Sequence, residues 1–207
     1  MEKTNKMANT PMTRLVLGMS LPLMVSLLVQ SLYNIVDSIF VAKLSENALA
    51  ATSLSFPVQM LMIALAVGTS VGINALLSRL LGQKRMEDVG YAATTGFVLA
   101  LLSSAVFVLA GLLFVHPIAW ALAKGGDNAG MCEAYLRICM IFCTGTFVET
   151  MAQRFLQASG KTVLSMISLI VGAVTNIVLD PIMIFGLLGF PALGVTGAAI
   201  ATVIGQW

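Results

Sequence analysis

Long apolar runs, each ended by a short polar or glycine-containing stretch, set the pattern of this chain. They lie at about 15–41, 48–77, 91–115, 134–153 and 163–188, and a sixth starts at 193. A helix needs about 20 apolar residues to cross the hydrocarbon core of a bilayer, so each of the first five predicts a membrane span. The sixth, "LGVTGAAIATVIGQW", holds 15 residues and predicts a span cut short at Trp207. Between the runs stand "KLSEN", "SRLLGQKRMED", "HPIAWALAKGGDNAGMCE", "QRFLQASGKT" and "LGFPALG", which carry most of the charges and several Gly and Pro residues. The predicted fold class is all-α: a polytopic bundle of six spans over residues 15–207, behind a short tail at 1–14.

Polar positions inside the runs fall into lines. In the first run Gln30, Asn34 and Asp37 stand at i, i+4 and i+7, with Ser26 one turn earlier and Tyr33 beside them. That spacing predicts one polar stripe on a helix. In the fifth run Gly172, Asn176 and Asp180 repeat the pattern at i, i+4 and i+8. An Asp at the centre of a spanning helix costs about 2.5–3.5 kcal/mol to insert. Asp37, Asp180 and a third acid, Glu149, are therefore expected to face protein or a wet cavity, with Glu149 near enough to a membrane surface to be hydrated.

Pro181 follows Asp180 directly. A proline has no N–H, so the carbonyl of Ile177 loses its helical partner and the helix tends to kink. A freed carbonyl at membrane depth is tolerated where it faces protein or a cavity. Next to Asp180 and Asn176 it adds an oxygen to a set suited to a cation. Pro22 in the first run and Pro57 in the second are expected to loosen their helices in the same way, or simply to shape packing. Depth brings further residues to the same layer: Tyr135 at the outer end of the fourth span, and Thr202 about nine residues into the sixth, with Thr196 as a rival threonine.

Composition strengthens this picture. The chain is 58% hydrophobic and only 10% charged, with mean hydropathy +0.97, against about 25% charged residues in soluble domains. Lys3, Lys6, Arg14, Arg79, Lys84, Arg85, Arg154 and Lys161 fall on one side of the predicted membrane, and only Lys43 and Lys124 on the other, with Arg137 just inside the fourth span. An eight-to-two bias predicts that the first side, with the N-terminus, is cytoplasmic. The apolar run behind the N-terminal tail lacks a small-x-small cleavage site, which predicts a retained first span and not a cleaved signal.

Other candidate chemistry is weak. Cys132, Cys139 and Cys143 lack metal-ligand spacing and read as small buried hydrophobes. Net charge +2 is too small and scattered for nucleic acid. The lone His116 sits beside Pro117 at a span end, suited to interfacial anchoring. Glu133 and Arg137 form an i, i+4 pair. Gly68, Gly72 and Ala75 suit close helix packing. The 13 Met residues fit helix packing in lipid better than a dedicated drug wall. Two aspartates without further ligands within a turn are poor evidence for a metal hydrolase, so no enzyme and no cofactor are expected.

These motifs taken together resemble the multidrug and toxic compound extrusion (MATE) transporters. The resemblance rests on "PLMVSLLVQSLYNIVDSIFVAKL", "LGQKRMEDVGYAATTG", "RFLQASGKT" and above all "GAVTNIVLDPIMIFGLLGFPALGVTGAAIATVIGQW". It implies a twelve-helix transporter of two six-helix lobes, of which this chain is the N-terminal lobe and the C-terminal lobe is missing. It also implies alternating access and the export of amphipathic, often cationic compounds in exchange for sodium ions or protons. The bacterial inner membrane is the implied location. Carried over by motif, Asp37, Asn176 and Asp180 form the cation-binding cluster, with Tyr135 and Thr202 as further members; if sodium is the coupling ion, the first three are its ligands. Gln30, Tyr33 and Asn34 become candidates for the substrate cleft. The alternatives are a flippase for lipid-linked sugars, for which a more cationic cleft is expected, and an inactive remnant.

Overall fold

The computed structural model describes residues 11–126 and 128–207. Lys3 and Lys6, which entered the charge count, lie outside the described residues. Seven α-helices are present among those described: α1 Met12–Leu44, α2 Glu46–Gly82, α3 Met86–Leu122, α4 Ala129–Ile141, α5 Thr144–Ala158, α6 Thr162–Phe185 and α7 Val195–Gly205. A 3₁₀ turn, Leu187–Gly189, joins the last two. The protein is an all-α, multi-pass membrane bundle. Below, the near side is the one on which α1 starts, and the far side the one on which it ends.

Four helices are each long and apolar enough to span a membrane, and α4 with α5 form a fifth span bent by 48° at its break. The sequence predicts a single span at about 134–153. Two half-helices stand there instead, broken at the turn residues Phe142 and Cys143, and α5 carries Thr146, Glu149, Thr150, Gln153 and Gln157 along one face. The other correction concerns helix ends. The stretch from His116 to Leu122 belongs to α3, and α2 runs on to Gly82. Hydropathy marks where hydrocarbon stops, whereas a helix continues into the headgroup layer until something terminates it. For α2 the start is fixed by Ser45, whose hydroxyl accepts from the Ala48 N–H at 3.0 Å. For α6 the end is fixed by Gly186 in the left-handed region at φ +75°.

Small residues at helical spacing let α2 and α3 approach closely. The buried positions of α3 include Ala92, Gly96, Ala100 and Ser104, every fourth residue, and those of α2 include Ala51, Ser55, Met62, Ala66, Ser70 and Ile73. Phe107 and Phe147 cap this α2–α3–α5 core with ring centroids 5.8 Å apart. A second apolar cluster near the far side gathers Val41, Tyr135, Cys139, Ile184, Val195 and Ala198 from α1, α4, α6 and α7. All three cysteines are free and buried. Large apolar side chains cover the outside, with Leu113 69% and Leu17 59% exposed. An apolar surface this extensive is what a bilayer covers.

The seam of α6 and α7 brings backbone against backbone. A Cβ on Gly172 would collide with the Gly205 carbonyl oxygen, and one on Gly205 would stand 2.9 Å from the Gly172 carbonyl oxygen. Beyond the connecting turn, the Leu193 N–H donates to the Met183 carbonyl at 3.0 Å and the Gly194 N–H to that of Ile184 at 3.2 Å. Gly197 then presses against the Met183 carbonyl with no room for a side chain. Helix α7, with 11 residues, is shorter than a span, as its sequence predicts.

Candidate functional site

Helix α1 lies chiefly against α6. Its inward line is Ser26, Gln30, Tyr33, Asp37 and Val41, of which Ser26 and Val41 are fully buried and the others half-buried. Asn34 departs from the expected stripe. It is exposed, and with Ile35, Ser38, Ile39, Ala42 and Leu49 it lines a shallow groove of about 360 Å³ on the outer face. Ser38, on the same flank, turns its hydroxyl back to the Asn34 carbonyl at 2.8 Å.

On α6, Asn176 is 3% exposed and Asp180 is fully buried. The helix stays continuous through Pro181, as α1 does through Pro22. The carboxyl groups of Asp37 and Asp180 lie within hydrogen-bonding reach of one another. The Asn176 amide, in the orientation that satisfies its neighbours, donates to Asp180 Oδ2 at 3.1 Å and accepts from the Thr202 N–H at 3.1 Å. The close Gly172–Gly205 approach carries the α7 backbone to that amide. Tyr135, from α4, is 4% exposed, and its hydroxyl faces the side chains of Thr202 and Gln59. Thr202, and not its rival Thr196, is thus the threonine in this chamber. Thr196 lines a separate cleft with Glu133 and Arg137.

Two features give the chamber its chemistry. Asp37 Oδ1 and Asp180 Oδ1 are buried and have no hydrogen-bond partner. Among the described residues no Lys, Arg or His forms an ion pair with either acid. A buried charge without a partner is expensive, and two like charges side by side are more so. The arrangement therefore suits a cation bound between the carboxylates, with the Asn176 and Thr202 side chains and the Ile177 carbonyl, which Pro181 deprives of its donor, as further oxygens nearby in the chain. Gln59 is the member that sequence reasoning missed. Its signal was present: an uncharged amide inside the second apolar run, two residues after Pro57.

The outer polar group is built differently. Arg137 donates to Glu133 Oε1 at 2.5 Å and His116 Nδ1 meets Glu133 Oε2 at 2.8 Å, so the expected Glu133–Arg137 pair is present and His116 closes it. The His116 ring lies 5.5 Å from that of Trp120. Every oxygen of this acid is engaged.

Comparison with known proteins agrees with this architecture. A family model described as MatE matches residues 22–182. The "FAD transporter" of Shewanella oneidensis is 26% identical over 203 residues, covering 98% of this chain and 45% of its own length. The "Multidrug export protein MepA" of Staphylococcus aureus is 28% identical over 196 residues, covering 94% of this chain and 43% of its own. A solved structure described as the outward-facing conformation of a multidrug resistance MATE family transporter superposes with TM-score 0.91 at 28% identity, over 99% of this chain and 44% of that one. A transporter of the MOP superfamily from Pyrococcus furiosus, described as having a binding pocket of reverse polarity, superposes equally well at the same identity. The chain spans less than half the length of these relatives.

Proposed function

Since the chain belongs to the MatE family, we propose that it forms the N-terminal lobe of a cation-coupled antiporter that exports amphipathic small molecules. A C-terminal lobe completes the cleft in this reading. The N-terminus and the near side lie in the cytoplasm, and the membrane is the bacterial plasma membrane. Relatives described as multidrug exporters support the cargo class. The observation that carries the proposal is the Asp37–Asp180 contact with its two unpartnered oxygens.

The coupling follows from the physics of that contact. Without a cation the two carboxylates repel, and α1 is driven away from α6. One sodium ion or proton between them removes the repulsion and closes the gap. A ligand shifts a conformational equilibrium only by its differential affinity for the two states. A cation that prefers the closed pair therefore drives the lobe toward it, and cargo that prefers the open one drives the cation off. Asn176 holds Asp180 in place while this happens, and Tyr135 with Thr202 and Gln59 closes the chamber from above. Tyr33 and Gln30 border the route to it.

The test is efflux of a fluorescent cationic dye from cells carrying the full-length protein. Asp37→Asn and Asp180→Asn are expected to abolish ion-driven efflux while leaving membrane insertion intact. Full, ion-dependent efflux in both variants would falsify the role given to the pair. Movement of labelled lipid-linked sugar in place of dye would turn the assignment toward a flippase.

A further inference from the structure

The near-side rim of the bundle carries a positive excess that the chamber does not use. Two turns build most of it. The α2–α3 turn is flanked by Arg79 and Arg85 and holds Lys84, and the α5–α6 turn holds Lys161. The fold brings both turns to one end, because Leu77, Leu80, Ala92 and Ala158 beneath them belong to a single buried apolar cluster. Arg14 stands at the near-side start of α1, the helix that lies against α6.

The α2–α3 turn has a fixed shape. The Gln83 N–H donates to the Arg79 carbonyl at 3.0 Å, and the N–H groups of Lys84 and Arg85 donate to the Leu81 and Leu80 carbonyls, each at 3.1 Å. Lys84 occupies the left-handed region at φ +59°, which reverses the chain there, and its side chain is exposed.

Few acids offset these charges. Asp88 is held by Arg85, Nε to Oδ2 at 2.6 Å, and Arg154 is turned to Gln157 Oε1 at 2.9 Å. Among the described residues Arg14, Arg79, Lys84 and Lys161 form no ion pair. All four are exposed, and Glu87 is the remaining acid beside them. The far side is balanced by comparison. There Arg137 and His116 close on Glu133, and Glu46 follows Lys43 by three residues.

Each of the four cations also stands within a turn of an exposed large apolar side chain. Leu76 precedes Arg79, Met86 follows Lys84, Val163 and Leu164 follow Lys161, and Val16 and Leu17 follow Arg14. Tyr91, 76% exposed, lies about 8 Å along α3 from its near-side start at 1.5 Å per residue. Aromatic rings at such a level anchor at the membrane–water interface. A phosphate joined to acyl chains matches this pairing of charge with apolar surface. A soluble phosphate or an acidic peptide would satisfy the charge and leave the apolar side chains uncovered.

We infer that the near-side rim is a docking surface for anionic phospholipid. The lipid phosphates sit on Arg79, Lys84, Lys161 and Arg14, and the acyl chains run along Leu76, Met86 and Val163. The Arg79 guanidinium can meet two phosphate oxygens at once, whereas Lys84 and Lys161 act as point charges. Basic residues at a membrane surface each enrich anionic lipid several-fold. This surface is separate from the carboxylate chamber and serves whichever ion couples transport.

The experiment reads lipid at the site itself. Gly90→Cys places a thiol on α3 where an added side chain meets nothing within 4 Å. The full-length protein with this change is labelled with bimane, and the signal of the unsubstituted protein is subtracted. It is reconstituted in phosphatidylcholine vesicles with a small fraction of nitroxide-labelled phosphatidylglycerol or nitroxide-labelled phosphatidylcholine. The glycerol lipid is expected to quench at least threefold more strongly. Adding Arg79→Gln with Lys84→Gln should bring the ratio close to one, and adding Lys124→Gln, on the far side, should leave it unchanged. Molar salt, which shortens screening to about 3 Å, should also bring the ratio close to one, and it decides the matter if the double variant fails to insert. Equal quenching at low salt, or a ratio unmoved in the inserted double variant or in molar salt, overturns the docking surface. Loss of the preference on adding inorganic phosphate at constant ionic strength overturns the lipid as its occupant.

Discussion

The bundle contains two acid clusters that answer opposite needs. At the far-side surface Glu133 is held by Arg137 and His116, and both its oxygens are engaged. In the interior Asp37 and Asp180 face one another with no cationic side chain among the described residues paired to them, and each keeps an unpartnered oxygen. The first cluster is complete as it stands, and its Arg137 and His116 side chains are 54% and 65% exposed. Surface pairs of that kind contribute about 0–1 kcal/mol each. The second is incomplete until something positive arrives. An acid is therefore left free to bind a cation when the fold buries it and withholds a permanent counter-ion.

The sharpest way to break that contrast is to neutralise one member of the interior pair. Asp180→Asn is expected to reduce ion-driven dye efflux by more than tenfold, with the protein still eluting as one monodisperse species in detergent. The seam that holds the chamber comes next. Gly172→Ala drives a methyl group into the Gly205 carbonyl, and overpacking of this sort costs about 1–3 kcal/mol. A lower melting temperature in detergent is expected, together with weaker efflux. An unchanged melting temperature would mean that α7 can move away freely.

A smaller effect separates the two threonines. Thr202→Val removes the hydroxyl that faces Tyr135 and should slow efflux a few-fold. Thr196→Val should leave efflux as it was. Smallest of all, Glu133→Gln is expected to change melting by no more than a few degrees and to spare efflux. A collapse of efflux in that variant would erase the distinction between the clusters.

Much of this was legible in sequence because hydrocarbon imposes simple rules. Five apolar runs, the family and the meeting of Asp37, Asn176, Asp180, Tyr135 and Thr202 at one depth follow from span length, helical periodicity and motif. The 48° break between α4 and α5 did not show, because the polar residues of α5 are uncharged apart from Glu149 and Arg154 and blur into an average hydropathy. Asn34 was misplaced for a related reason. Positions i+3 and i+4 lie on either side of a common line, and only the neighbouring helix decides which of the two faces in. Gln59 escaped because an isolated amide has no period at all.

The contact of Gly172 with Gly205 has a mechanical corollary. With backbone resting on backbone, α6 and α7 form one stiff beam, and the turn between them is stitched on both strands. Asp180 rides on that beam, whereas Asp37 rides on a rod with large apolar side chains over most of its outer surface. On the coupling reading proposed above, a change of charge at their junction moves the first helix against that frame.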